Sequence, residues 1–162
     1  MSRAFVNEDQ AAAQANPPVE RRISDQPNHV TPSGYAQLQQ RVAELSAQRS
    51  ELLAQGDAVD KQRVADSERD LRYFTARLQS AQVVPAPAPG GKVQIGNRVR
   101  FVDEQDVEHS VQLVGEDEAD AAHGQVNWGS PLGRALLGAA EGDEVIWRRP
   151  AGDQTIEIVA IE

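Results

Sequence analysis

The sequence of this 162-residue chain predicts an α+β fold in two parts, on three observations. Apolar residues recur at alternating steps of three and four through residues 31–84, the spacing of a helical seam. Through most of residues 92–162 they alternate in steps of two, the spacing of half-buried strands. Between the two patterns stands Pro85-Ala86-Pro87-Ala88-Pro89-Gly90-Gly91, whose prolines favour an extended spacer and whose glycines allow a turn. The predicted division is a tail over 1–30, an antiparallel α-helical coiled-coil hairpin over 31–84, a linker over 85–91, and a small antiparallel β-sheet domain with one short helix over 92–162.

In the tail, Ala, Gln, Asn, Pro and charged residues dominate, and Pro17-Pro18 interrupts any helix begun near Glu8. The apolar residues Phe5, Val6, Val19 and Ile23 are too sparse for a core, so a disordered, solvated segment is expected. Thr31-Pro32 then marks a helix start, with Thr as N-cap and Pro in the first turn. On the first arm Tyr35, Leu38, Val42, Leu45 and Leu52 share one stripe, interrupted by Arg49. The arm runs from Pro32 to about Gln55; Gly56 ends it and Asp57 is placed to cap the return arm, roughly Ala58 to Gln82. There Val64, Leu71, Phe74, Leu78 and Ala81 repeat the stripe, with Ser67 its one polar member.

In the carboxyl-terminal part, Val99 and Phe101, then Val111 and Leu113, predict strands over 98–102 and 108–115 with a turn at 103–107. Residues 116–124 form an acidic loop, 125–128 a short strand. Ser130-Pro131 starts a helix over 132–137 that Gly138 stops. Strands over 144–148 and 155–161, joined by Pro150-Ala151-Gly152-Asp153, complete the sheet. Leu136, Val145, Trp147, Ile156, Ile158 and Ala160 are the expected core.

Charge is uneven. Residues 31–84 carry seven basic and seven acidic side chains, whereas 93–162 carry five and fourteen. The acidic half repels phosphates, which argues against direct, sequence-specific nucleic-acid binding; it suits a protein partner with basic patches, or equally serves solubility alone. There is no cysteine, hence no disulfide and no thiolate metal site. No apolar run approaches the ~20 residues that span a bilayer, and Met1–Asn7 lacks the layout of a signal peptide. A cytoplasmic protein without membrane contact is expected.

The catalytic inventory is thin. His29, His109 and His123 lie far apart, without ligand spacing, and read as surface residues. Ser130 before Pro131 reads as an N-cap rather than a nucleophile. The hairpin tip is the exception. Asp57 and Asp60 flank the break, and carboxylates on a rod are suited to reach a recessed site, since Mg²⁺ takes oxygen ligands and often only one or two from protein. The competing reading is that they cap and solvate a helical turn.

Ser130-Pro131-Leu132-Gly133-Arg134-Ala135-Leu136-Leu137-Gly138, then Gly142-Asp143-Glu144-Val145, and the ending Pro150-Ala151-Gly152 with Ile156 to Glu162, resemble the carboxyl domain of the bacterial Gre transcription factors, GreA and GreB. Thr31-Pro32-Ser33-Gly34-Tyr35 with Leu38 resembles that family's opening, and Arg69-Asp70-Leu71-Arg72-Tyr73-Phe74-Thr75 is closer to GreB. The resemblance covers about residues 31–162. It implies a coiled coil that enters the secondary channel of RNA polymerase and an FKBP-like carboxyl domain at the channel rim. It further implies docking through Ser130, Pro131, Leu132, Gly133 and Arg134 with Gly142 and Asp143.

The family's tip carries Gly-Asp followed shortly by Ser-Glu-Asn, whose carboxylates help the polymerase's own Mg²⁺ hydrolyse backtracked RNA. Here Gly56-Asp57 matches and Ser-Glu-Asn is absent, so Asp57 alone carries over and Asp60 is a geometric candidate. Each arm is also shorter than the family's by about seven residues, or ~10 Å. The implied protein is a monomeric polymerase-binding regulator rather than an enzyme, with no cofactor of its own. It either stimulates transcript cleavage or, given the altered tip, occupies the channel as an inhibitor. More remote alternatives are prolyl isomerase activity from the FKBP-like domain and a polymerase-independent coiled-coil adaptor.

Overall fold

The computed structural model describes residues 19–162; the expected tail therefore lies outside the described residues over 1–18. Two compact units emerge. One holds residues 19–24 with Gln40–Ala76, the other Asp25–Gln39 with Arg77–Glu162.

Two long helices run through these units: α1 over Pro32–Leu53 and α2 over Lys61–Ser80. In α1 the buried apolar residues are Leu38, Leu45 and Leu52, seven apart, with Tyr35, Val42 and Arg49 half-buried between them. In α2 Ser67 is buried and Val64, Leu71, Phe74 and Leu78 are half-buried. On α1 the stripe residues are thus the inward ones, whereas on α2 off-stripe residues are as covered as the stripe and Arg77, off it, is buried. Within the first unit, Arg49 Nε meets Glu68 Oε1 at 3.0 Å and the Arg41 guanidinium lies 5.5 Å from the Phe74 ring centre. Residue numbers rise along α1 as they fall along α2, so the second helix runs back beside the first.

Both helices are shorter at the break than predicted. A 3-10 turn at Gly56–Ala58 takes up the connection, with Gly56 at φ 62°. Asp60, not Asp57, then caps α2: its Oδ1 accepts from the backbone N–H groups of Gln62 at 3.0 Å and Arg63 at 3.3 Å. At the other end α2 stops at Ser80, because Asn28 Nδ2 donates to Arg77 O at 2.8 Å and to Ser80 Oγ at 3.0 Å. The chain then leaves as a strand.

Residues 25–30 depart from the expected disordered tail. β1 (His29–Val30) pairs in parallel with β2 (Gln82–Val83), and Asn28 and Val30 are buried. The strand passes directly over Gly115, where a Cβ would lie 2.7 Å from His29 O. A side chain there would push β1 away. Thr31 starts α1 as predicted: its Oγ1 accepts from Gly34 N at 3.0 Å and donates to Glu118 Oε2 at 2.5 Å.

The main sheet is built from β3 (Arg98–Val102), β4 (Glu108–Val114), β5 (Gln125–Asn127), β6 (Glu144–Trp147) and β7 (Gln154–Ile161). Its order is β5-β4-β3-β7-β6. It is not wholly antiparallel, as expected, because β5 runs parallel to β4; residues 115–124 carry the chain back to the same end of the sheet before β5 begins. The short helix α3 (Pro131–Leu136) lies against it. Val93, Val99, Phe101, Leu113, Leu132, Leu136, Ile156, Ile158 and Ile161 form the core.

Three expected core members, Val145, Trp147 and Ala160, are half-buried rather than buried, the first two packed against the core from its edge. Trp147 is half-buried, edge-on to Phe101 at 6.4 Å. Ala160 is also half-buried, because a bulge in the β3–β7 register skips Val159 and shifts the alternation. That one extra residue turns Ile161 inward in its place.

Candidate functional site

The tip of the first unit places Asp57 within the 3-10 turn and Asp60 at the start of α2, both exposed. Their chemistry differs. Asp60 spends one carboxylate oxygen on two backbone N–H groups, so it is fixed as a cap. Asp57 makes no hydrogen bond or ion pair among the described residues and faces solvent. Nowhere among the described residues do three His, Cys, Asp or Glu side chains gather as a metal cage. Among the described residues the tip thus presents Asp57 as an exposed, unengaged carboxylate beside a capped one.

The seven predicted docking residues fall into four groups. Ser130 is the N-cap of α3, its Oγ accepting from Gly133 N at 3.1 Å. Leu132 and Gly133 face inward: Leu132 belongs to the core, and a Cβ on Gly133 would lie 2.4 Å from Asn127 O and 2.6 Å from Trp128 O. They hold the helix against β5, and of the two only Leu132 reaches the surface, at the edge of a neighbouring concavity. Pro131 and Arg134 are exposed and line a concavity of about 470 Å³ with Gly129, Ala135, Ile146 and Arg148. Gly142 and Asp143 line neither this concavity nor the one beside it. They shape the turn into β6, with Asp143 Oδ2 accepting from Ala140 N at 2.9 Å.

The second concavity, about 460 Å³, is mainly apolar and is bounded by Ser130, Pro131, Leu132 and Trp147 with residues 148–151. Sequence reasoning missed the β6 side of this face. Ile146 is 53% exposed on an edge strand, and Arg148 and Arg149 follow it. The signal was legible: with Val145 and Trp147 inward, alternation sends Ile146 out. The face joins apolar surface to Arg134, Arg148 and Arg149, three of only five basic residues in 93–162. In an acidic domain it is a local positive rim, fitted to apolar and acidic groups of a protein partner.

The sequence places these two features in a known context. A GreB transcription elongation factor of Neisseria meningitidis serogroup B is 32% identical over 152 residues, spanning 83% of this chain and 93% of that protein. The chain belongs to the GreA/GreB family. A GreA of Sphingopyxis alaskensis is 33% identical over 144 residues, spanning 80% of this chain and 91% of that protein. The family profile described as "Transcription elongation factor, GreA/GreB, C-term" matches residues 88–162. Among solved structures, the GreA/GreB elongation factor of Nitrosomonas europaea is 26% identical, with TM-score 0.40, over 83% of this chain and 98% of that one. Within the GreA/GreB profile fall α3, the turn to β6 and both concavities; the tip carboxylates lie outside it.

Proposed function

We propose that this GreA/GreB member is a cytoplasmic, RNA polymerase-binding regulator of transcription elongation that acts through the polymerase's secondary channel. Family membership across most of the chain is the observation that carries the reading. In it, α1 and α2 are the coiled-coil finger that enters the channel, and the sheet domain is the FKBP-like module seated at the rim. Residues 85–91 are the linker between them. The Pro131, Arg134, Ile146 and Arg148 face is the docking surface, with Ser130, Leu132, Gly133, Gly142 and Asp143 shaping it from behind. The protein is not an enzyme in its own right. Asp57 presents a carboxylate that helps hold a second Mg²⁺ and orient water in the polymerase's site, which carries out the RNA hydrolysis.

The capped state of Asp60 favours a second reading. With one carboxylate engaged on α2 and arms of 22 and 20 residues, about 33 and 30 Å long, the finger is suited to occupy the channel without completing the metal site. Cleavage of RNA in a purified backtracked elongation complex separates the two. Faster cleavage that Asp57→Ala abolishes supports assistance to the metal. No cleavage, with loss of a competing GreB's activity, supports a channel-binding inhibitor. No effect of either kind refutes the secondary-channel reading altogether.

A further inference from the structure

β6 is an edge strand, paired with β7 on one side only. Two contacts fix the phase of its backbone. Ile158 N donates to Asp143 O at 3.0 Å, and Thr155 N, opposite Ile146, donates away from β6 to Glu104 Oε1 at 2.8 Å. Antiparallel ladders alternate, so Val145 and Trp147 turn their N–H and C=O groups to β7, whereas Glu144, Ile146 and Arg148 turn theirs outward. The side chains of those three share one face of the strand and are all exposed. Neither proline nor bulge interrupts the edge, and both are devices that keep such an edge from pairing. A concavity of about 470 Å³ opens along Ile146 and Arg148, so α3 of the same chain does not fill it.

Charge along this edge is self-complementary. Glu144 stands directly across the ladder from Glu157 and lines a small concavity with Asp103, Glu104 and Asp106. Like charges directly opposite are destabilising, and Glu144 has no ion-pair partner among the described residues. Arg148, just past the strand and 77% exposed, keeps only a loose ion pair to the exposed Asp153 at 3.3 Å. Between them Ile146 is 53% exposed. When a second copy of the strand is laid antiparallel about a two-fold axis through Ile146, Ile146 meets Ile146 and each Glu144 meets an Arg148. Outward backbone groups then face outward backbone groups at all three positions. Each Glu144 gains the cation that its own chain does not supply.

We propose that this protein self-associates as a two-fold dimer through β6, strand against strand. One short strand per copy makes a small interface of the transient class, so monomer and dimer exchange. Ile146 and Arg148 also belong to the docking face described above. That the dimer cannot dock on polymerase rests on that reading; the dimer itself does not.

Sedimentation velocity of the full chain, over a hundredfold concentration range reaching about 1 mM, tests the association. The wild-type coefficient should rise with concentration. Glu144→Arg and Arg148→Glu each set like charges opposite at two symmetric places, and each should weaken association by about tenfold. Mixed in equal amounts, the two variants should associate again as a heterodimer, because each supplies the charge the other lacks. Mixing would not rescue a variant that had merely lost its fold. A wild type that stays monomeric throughout overturns the proposal, as does association that neither substitution weakens or that mixing fails to restore. The chain has no cysteine, so Ile146→Cys can be oxidised to a dimer linked at this point alone. The linked dimer should lose binding to core RNA polymerase and regain it on reduction. Equal binding in both forms overturns the masking of the docking face. No binding in either form refutes the polymerase reading, while sedimentation still decides the dimer.

Discussion

Replacing Arg77 by Met is the sharpest test of how the second unit is held together. Arg77 sits near the end of α2 with a side chain 2% exposed. Its Nε donates to Asp117 Oδ2 at 2.6 Å, and its Nη2 donates to Asn28 Oδ1 at 2.8 Å and lies 3.4 Å from Glu116 Oε2. Methionine keeps the stem and much of the volume, so the loss is that of the guanidinium. Breaking a buried ion pair on one side is destabilising by about 3–5 kcal/mol. Here the Asp117 and Glu116 side chains are 11% and 29% exposed, so water recovers part of that, and about 3 kcal/mol is expected. For a chain of this size that is roughly 6–12 °C in Tm. Trp128 and Trp147, the only tryptophans, both lie in the unit that contains Arg77, so tryptophan fluorescence in a thermal or urea titration reports on it directly. Arg77→Met with Asp117→Asn should lose less than the sum of the single changes, a coupling of about 1–3 kcal/mol. An Arg77→Met protein within ~0.5 kcal/mol of wild type would refute the network's structural role.

Three further outcomes follow from particular contacts. Gly133→Ala should destabilise the sheet unit by about 1–3 kcal/mol, since its Cβ meets backbone rather than a side chain that can yield; an unchanged urea midpoint by tryptophan fluorescence would refute that packing. Asp60→Ala should lower helix stability by about 1 kcal/mol by circular dichroism while Asp60→Asn retains most of it, and Asp57→Ala should leave stability unchanged. The carboxyl of Asp103 is held below its ordinary range by its hydrogen bond to His109, then by the Val107 N–H. A depressed folded-state value means that its contribution is complete above the unfolded value, about pH 4, and is lost as pH falls through the folded one. Asp103→Asn should therefore flatten the acid side of the stability profile, and identical urea midpoints for both proteins across that range would count against the assignment.

The fold was legible where a local signal and a periodic one agree. Thr31-Pro32 and Ser130-Pro131 both open helices where predicted, and the three-and-four stripe marks the inward residues of α1. What escaped the reading depends on partners distant in sequence. Residues 28–30 look like solvated tail because nothing nearby requires a strand; the order comes from Gln82 N donating to Asn28 O and Val84 N to Val30 O, both at 2.8 Å. Arg77 falls between Phe74 and Leu78 and reads as an ordinary solvated helix position. Only the acidic loop forty residues later makes burying it favourable. The same holds for Ala160 and Ile161, whose exchange of places is set by a bulge opposite β3 rather than by their own alternation.

The tip shows the same division at the level of chemistry. Sequence places Asp57 and Asp60 together as exposed carboxylates near a helical break, and on composition alone they are equivalent. Geometry separates them. The 3-10 turn delays the start of α2 by three residues relative to the predicted Ala58, and that delay moves the N-cap from Asp57 to Asp60. An N-cap carboxylate is committed to backbone donors and is stabilised there as an anion; recruiting it to a metal would leave those donors to water and loosen the helix it starts. Asp57 carries no such obligation. The delayed start of α2 therefore separates the two aspartates: Asp60 is committed to the helix and Asp57 is not, which is why the proposed role at the metal falls to Asp57, the residue that the Gly-Asp resemblance also selects.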